Sequence, residues 1–104
     1  MIYLKVEVFI PQENVAILVN KLNEKGLLLD GNYDYVYCEI PVRGHFRPLE
    51  GANPAVGKIG QVTDQEEIKL EFRIKKEKKE EVDKIIKLNH PYECPVINLS
   101  LIHI

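Results

Sequence analysis

From residue 2 to residue 10 the chain alternates. Ile2, Leu4, Val6, Val8 and Ile10 share one face, and Tyr3, Lys5, Glu7 and Phe9 share the other. A period of two is that of a β-strand, whose successive side chains leave opposite faces. Pro11 ends the run, and the period then changes. Val15, Leu18, Val19 and Leu22 stand at i, i+3, i+4 and i+7, which predicts an amphipathic helix over residues 12–25. Gln12 and Glu13 suit its first turn. Gly26 suits the left-handed position just past its end, where a Cβ is penalised. Asp30-Gly31-Asn32 is a turn signal.

Alternation returns at Tyr33–Ile40, with Tyr33, Tyr35 and Tyr37 on one side and Asp34, Val36, Cys38 and Ile40 on the other. It returns again where Ile68, Leu70, Phe72 and Ile74 interleave with charged residues from Glu67 to Lys75. Residues 77–89 carry a helical stripe of Val82, Ile85 and Ile86 in a solvated, mixed-charge surround, and Pro91 stops it. Val96–Ile104 predicts a last strand. The order β-α-β, loop, β-α-β predicts one domain over residues 1–104 of the α+β class. It is a ferredoxin-like βαββαβ sandwich: a four-stranded antiparallel sheet with two helices on one face. The other sheet face would then carry Tyr3, Phe9, the three tyrosines and one side of the last strand. Such a surface is too apolar to stay in water, so the pattern predicts self-association.

The totals narrow the function. The chain has 104 residues and a net charge of −2, which gives no positive field to gather nucleic acid or acidic lipid. No apolar run approaches a membrane span, and no export signal opens the chain, so the expected location is the cytoplasm with Cys38 and Cys94 as reduced thiols. Neither cysteine has a histidine in a catalytic motif, and no activated nucleophile is recognisable. The expectation is a non-enzyme. The alternating tyrosines suit an interface or core better than a platform for single-stranded nucleic acid.

Three motifs carry a resemblance: GNYD at 31–34, GHFRPLEGANPAVGKIG at 44–60 and HPYECP at 90–95. Together they resemble the PII/CutA-like lobe inserted in some members of the YqfO/YbgI (NGG1p-interacting-factor-3-like) dinuclear-metal family. Gly44, Phe46, Pro48, Gly51, Pro54, Gly57 and Gly60 fall on its middle pattern, and His90, Pro91, Tyr92 and Glu93 on its last. The second glutamate of that last motif is Cys94 here. The resemblance runs essentially end to end and implies a homotrimer. It brings no metal-hydrolase chemistry, because the family's metal ligands lie in the two lobes this sequence does not contain.

The loop between the second and third strands, residues 42–66, occupies the position of the effector loop of PII-like proteins, which bind nucleotides in clefts between subunits. Its first part holds Arg43, Arg47 and Lys58 against one acid, Glu50. Arginine suits bidentate contacts to phosphate, and glycine amides cradle anions. One expectation is therefore an anion or nucleotide site between subunits, built from Arg43, Arg47, Gly57, Lys58 and Gly60. The plainer reading makes the glycines turn residues in a loop stiffened by Pro48 and Pro54. Gly51 to Lys58 does not form a phosphate-binding P-loop, since Ile59 stands where Ser or Thr would hold magnesium.

His90, Glu93 and Cys94 offer nitrogen, oxygen and sulfur to a divalent metal such as zinc or copper, with His45 or His103 completing the set from another subunit. The alternative is a rigid turn between two prolines, with His90 capping the helix end. The reading that results is a small oligomeric ligand-sensing or interaction module with a further protein as its partner. A CutA-like trimeric metal-binding protein and a purely structural assembly module are the alternatives.

Overall fold

In the computed structural model, which describes residues 2–92 and 95–103, the first alternating run forms β1 (Ile2–Ile10). It is followed by α1 (Gln12–Glu24), β2 (Cys38–Phe46) and β3 (Thr63–Lys75). A 3-10 turn (Lys76–Lys78) then leads into α2 (Lys79–Asn89), and β4 (Ile97–His103) ends the fold. The sheet order is β2-β3-β1-β4 with every neighbouring pair antiparallel. This is the predicted ferredoxin-like α+β sandwich. Each helix carries the chain past one intervening strand, so the two strand-helix-strand halves interlock.

The helix-facing side of the sheet supplies Leu4, Val6, Val8 and Ile10 from β1 and Ile68, Leu70, Phe72 and Ile74 from β3, all buried. Val15, Leu18, Val19 and Leu22 of α1 and Val82 and Ile86 of α2 close over them in one cluster. The end of α1 follows from Gly26. At φ +70° it turns the chain so that its amide reaches the Asn23 carbonyl (2.9 Å) and the Leu27 amide reaches the Leu22 carbonyl (3.1 Å). That pair of bonds is a Schellman motif, and it places Leu27 in the core.

Two expectations are corrected here. The second strand begins at Cys38, not Tyr33, and it runs on through Gly44 to Phe46. Residues 33–37 are irregular. Tyr35 sits at φ 52°, its amide bonds Asn23 Oδ1 (2.9 Å) and its hydroxyl bonds Asn20 Oδ1 (2.9 Å). Polar ties to α1 therefore override the strand-like alternation, and the three tyrosines do not line the bare sheet face.

The centre of that face is charged, not apolar. Lys69 Nζ lies 3.0 Å from Glu71 and 3.3 Å from Glu7, and Lys5 Nζ lies 3.8 Å and 3.9 Å from the same two carboxylates. The quartet neutralises itself. The Glu71 contact first, and then that of Glu7, hold the Lys69 pKa above its ordinary value; Lys69 in turn lowers that of Glu71. Tyr3 and Phe9 flank the quartet along β1, and Ile40 and Val42 flank it on β2.

β1 pairs with β3 only from Ile10↔Ile68 to Tyr3↔Lys75. Thr63–Glu67 of β3 lie beyond the end of β1 and pair with Val42–Phe46 of β2 alone. This two-stranded arm belongs to a body 47 × 23 × 21 Å in extent.

Candidate functional site

The loop 47–62 caps the arm and folds back. The Gly60 amide donates to the Pro48 carbonyl (2.8 Å), closing the loop at its base, while Ala52 N–H to Leu49 O (3.0 Å) and Gln61 N–H to Lys58 O (3.1 Å) make its turns. Gly57, at φ +88°, lies flat against the arm: a Cβ there would sit 2.8 Å from Thr63 Oγ1 and 3.3 Å from the Phe46 ring. Pro48 is buried by the fold-back. Between loop and sheet runs a groove of about 420 Å³ with Phe9, Phe46, Pro48, Val56 and Tyr92 among its walls and Glu67 in its floor.

Glu67 is set by the register of β3, which points it to the bare face opposite Val42. Its carboxylate lies against Gly44, and any side chain at residue 44 would displace it. No cation pairs with Glu67 among the described residues. Beside it the hydroxyl of Tyr92 is buried and makes no hydrogen bond of good geometry among the described residues. Burial first, then the charge of Glu67, pushes that phenol up to about 12.

His90 holds this end of the groove. One ring nitrogen, Nε2, donates to the Phe9 carbonyl (2.6 Å), and Nδ1 accepts from the Tyr92 amide (3.1 Å). These two bonds set the neutral tautomer carrying its proton on Nε2. Burial is the main cause of a pKa below the usual histidine value, partly offset by the bond to Phe9 and the charge of Glu67.

A second depression of about 510 Å³ lies between residues 26–38 and the end of β3. Apart from Lys75, its charged groups are already partnered. Arg73 lies over the Tyr3 ring (4.5 Å to its centre) and 3.7 Å from Asp30, and Lys5 belongs to the quartet. In the groove beneath the loop, by contrast, Glu67 has no cation among the described residues and only the Tyr92 hydroxyl beside it.

The residues predicted to bind an anion are not gathered on one protomer. Arg43 faces the helix side of the arm, 3.5 Å from Asp64 and 3.9 Å from Glu66. Of the five, only Arg47 lines the groove. Lys58 is exposed on the loop, Gly57 packs on the arm, and the Gly60 amide is spent on Pro48. Of the predicted metal ligands, His90 has both ring nitrogens engaged, while Glu93 and Cys94 lie outside the described residues. No group of three His, Cys, Asp or Glu side chains suited to a metal occurs among the described residues. Glu67 escaped the sequence reading. It looked like one more polar position of an alternating strand, and only the fold-back of the loop makes it special.

The comparisons with known proteins match this geometry. No family model matches the chain. A Staphylococcus aureus protein called "GTP cyclohydrolase 1 type 2 homolog" is 42% identical over 97 residues, 93% of this chain but 26% of that protein. Its Staphylococcus epidermidis counterpart is 42% identical over 96 residues, again 26% of its length. A Bacillus cereus protein related to NIF3 superposes with a TM-score of 0.83 at 27% identity, over 97% of this chain and 26% of that one. The chain resembles, over its length, one lobe of NIF3-related proteins, and that lobe has the CutA fold. CutA1 from Oryza sativa shows the same fold at a TM-score of 0.72 and 17% identity, covering 99% of this chain and 82% of its own. The chain spans about a quarter of the length of the curated relatives it matches. Among its described residues no helix is long and apolar enough to cross a membrane.

Proposed function

We infer that the lobe is an assembly module without catalytic activity, which joins copies of itself through the bare sheet face and the arm. The arm carries this reading. A lone two-stranded ribbon is marginal in water, and among the described residues Val42–Phe46 with Thr63–Glu67 have no third strand and no helix layer, only the folded-back loop 47–62 against them. A second copy laid on the bare face supplies that cover. The charge quartet fits such an interface because it brings no net charge to be buried. Three copies is the number the resemblance to PII and CutA proteins implies. In a longer protein the same contact would bring whole host chains together.

The name "divalent cation tolerance protein" belongs to a CutA neighbour from Thermus thermophilus at 18% identity. A metal role here would require His90 to surrender one of its two backbone bonds, so the assembly reading is favoured. The variant Ile40→Glu tests it by placing a charge on the bare face, outside the core. It is expected to sediment as a folded monomer where the parent chain is an oligomer. An unchanged sedimentation coefficient would place the interface elsewhere.

A further inference from the structure

Glu7 and Glu71 stand directly opposite each other on β1 and β3, the two middle strands of the sheet. Like charges in that position repel, and here a lysine on either side of the pair offsets the repulsion. The two lysines are not equivalent. Lys69 Nζ is within hydrogen-bond reach of both carboxylates, 3.0 Å from Glu71 and 3.3 Å from Glu7. Lys5 Nζ stays 3.8 Å and 3.9 Å away, too far for hydrogen bonds, and its side chain is 43% exposed against 24% for Lys69. Among the described residues its three N–H donors therefore meet no hydrogen-bond acceptor. The carboxylates are the opposite case. Their side chains are only 19% and 21% exposed within one protomer, so they are already largely out of water before anything covers the face.

The row from Lys5 through Glu7 and Glu71 to Lys69 has cations at its ends and carboxylates in its middle. Such a row complements a copy of itself that crosses it, and copies arranged around a rotation axis do cross. Because it lies on the two middle strands, whatever covers the bare face covers the row. We propose that the quartet is the element by which copies of this chain recognise one another. In the assembly Lys5 of each copy donates to a carboxylate of the next copy's quartet. This rests on the assembly reading above and deepens it, by naming the partner as a second chain with the same charge order. A chain of the same fold with another charge order is rejected, because it would bury charges of the quartet against like charges or against none.

The test is a chain with the quartet inverted, Lys5→Glu, Glu7→Lys, Lys69→Glu and Glu71→Lys together. Composition, net charge and the pairing of opposite charges within the quartet are all kept, and the melting temperature checks the fold. The inverted chain, labelled with heavy nitrogen, is mixed with the parent chain in equal amounts in denaturant, and the two are refolded together by dilution. Native mass spectrometry then reads which copies share an assembly, with labelled and unlabelled parent chain as the control. Each chain alone is expected to assemble as the parent does, and labelled parent should mix with parent in binomial proportions. Assemblies holding both parent and inverted chains should fall about tenfold or more below those proportions. Binomial mixing of parent with inverted chain overturns the proposal and leaves the assembly reading standing. So does an inverted chain that folds but stays single. A parent chain that stays single is the separate failure of the assembly reading, and the proposal falls with it. Should the inverted chain not fold, Lys5→Gln decides, with its melting temperature in the Ile40→Glu background as the check on the fold. It removes the cation that lacks hydrogen bonds within one protomer, so the concentration at which copies separate should rise about tenfold or more. An unchanged separation concentration overturns the proposal.

Discussion

His90 Nε2 donates to the main-chain carbonyl of Phe9 at 2.6 Å, and so ties the end of α2 to the end of β1 across 81 positions of sequence. The same ring receives the Tyr92 amide at 3.1 Å. A side chain that looked like a metal ligand in the motif HPYEC is thereby a structural clasp in this fold. Replacing it breaks two half-buried hydrogen bonds. His90→Ala is expected to cost about 1–3 kcal/mol in denaturant unfolding. A loss below the error of the measurement would show the clasp to be idle.

The clasp also titrates. Burial lowers the His90 pKa in the folded protein below its ordinary 6.5, so the unfolded chain binds more protons than the folded one between the two values. Stability is therefore full above pH 6.5 and is lost as pH falls from there toward the depressed folded value. Subtracting the His90→Ala profile from that of the parent chain isolates this contribution from the carboxylates. A difference that grows as the pH falls would contradict the assignment.

Gly57 and Gly51 both have positive φ, but only Gly57 is crowded. Gly57→Ala adds a contact with Thr63 Oγ1 and the Phe46 ring to the backbone penalty, whereas Gly51→Ala meets open space. Gly51→Ala should cost about 1–2 kcal/mol from the left-handed conformation alone, and Gly57→Ala more. Equal losses in thermal unfolding would mean that the loop does not pack on the arm.

Tyr92 buries a hydroxyl whose one neighbour for hydrogen bonding among the described residues is the Glu67 carboxylate, at poor geometry. Tyr92→Phe removes this weakly bonded group and keeps the ring, so stability should change by less than about 1 kcal/mol. A clear loss of stability would show that the bond to Glu67 is strong.

Much of this architecture can be read from residues alone. The period-two runs of β1 and β3, the stripe Val15-Leu18-Val19-Leu22 and the stop at Gly26 each reflect local rules, and each stands in the structure as expected. The failures have physical causes of a different kind. Tyr33, Tyr35 and Tyr37 alternate like a strand, yet Asn20 and Asn23 of α1 capture Tyr35 by hydrogen bonds that no local pattern announces. Gly44 looked like the start of a loop, but it is a strand residue whose missing Cβ makes room for Glu67. The groove was hidden for the same reason. It joins residues from β1, β2, β3, the loop and the turn after α2, so it exists only once they are folded.

The central claim is that the bare sheet face and the arm are buried between copies of the chain. Sedimentation equilibrium of the parent chain at about 10–100 µM, a range that detects a contact of ordinary oligomer strength, tests it most directly. A single species with three times the mass of the 12.0 kDa chain is the predicted result. A folded species of one chain mass across the whole range would contradict it.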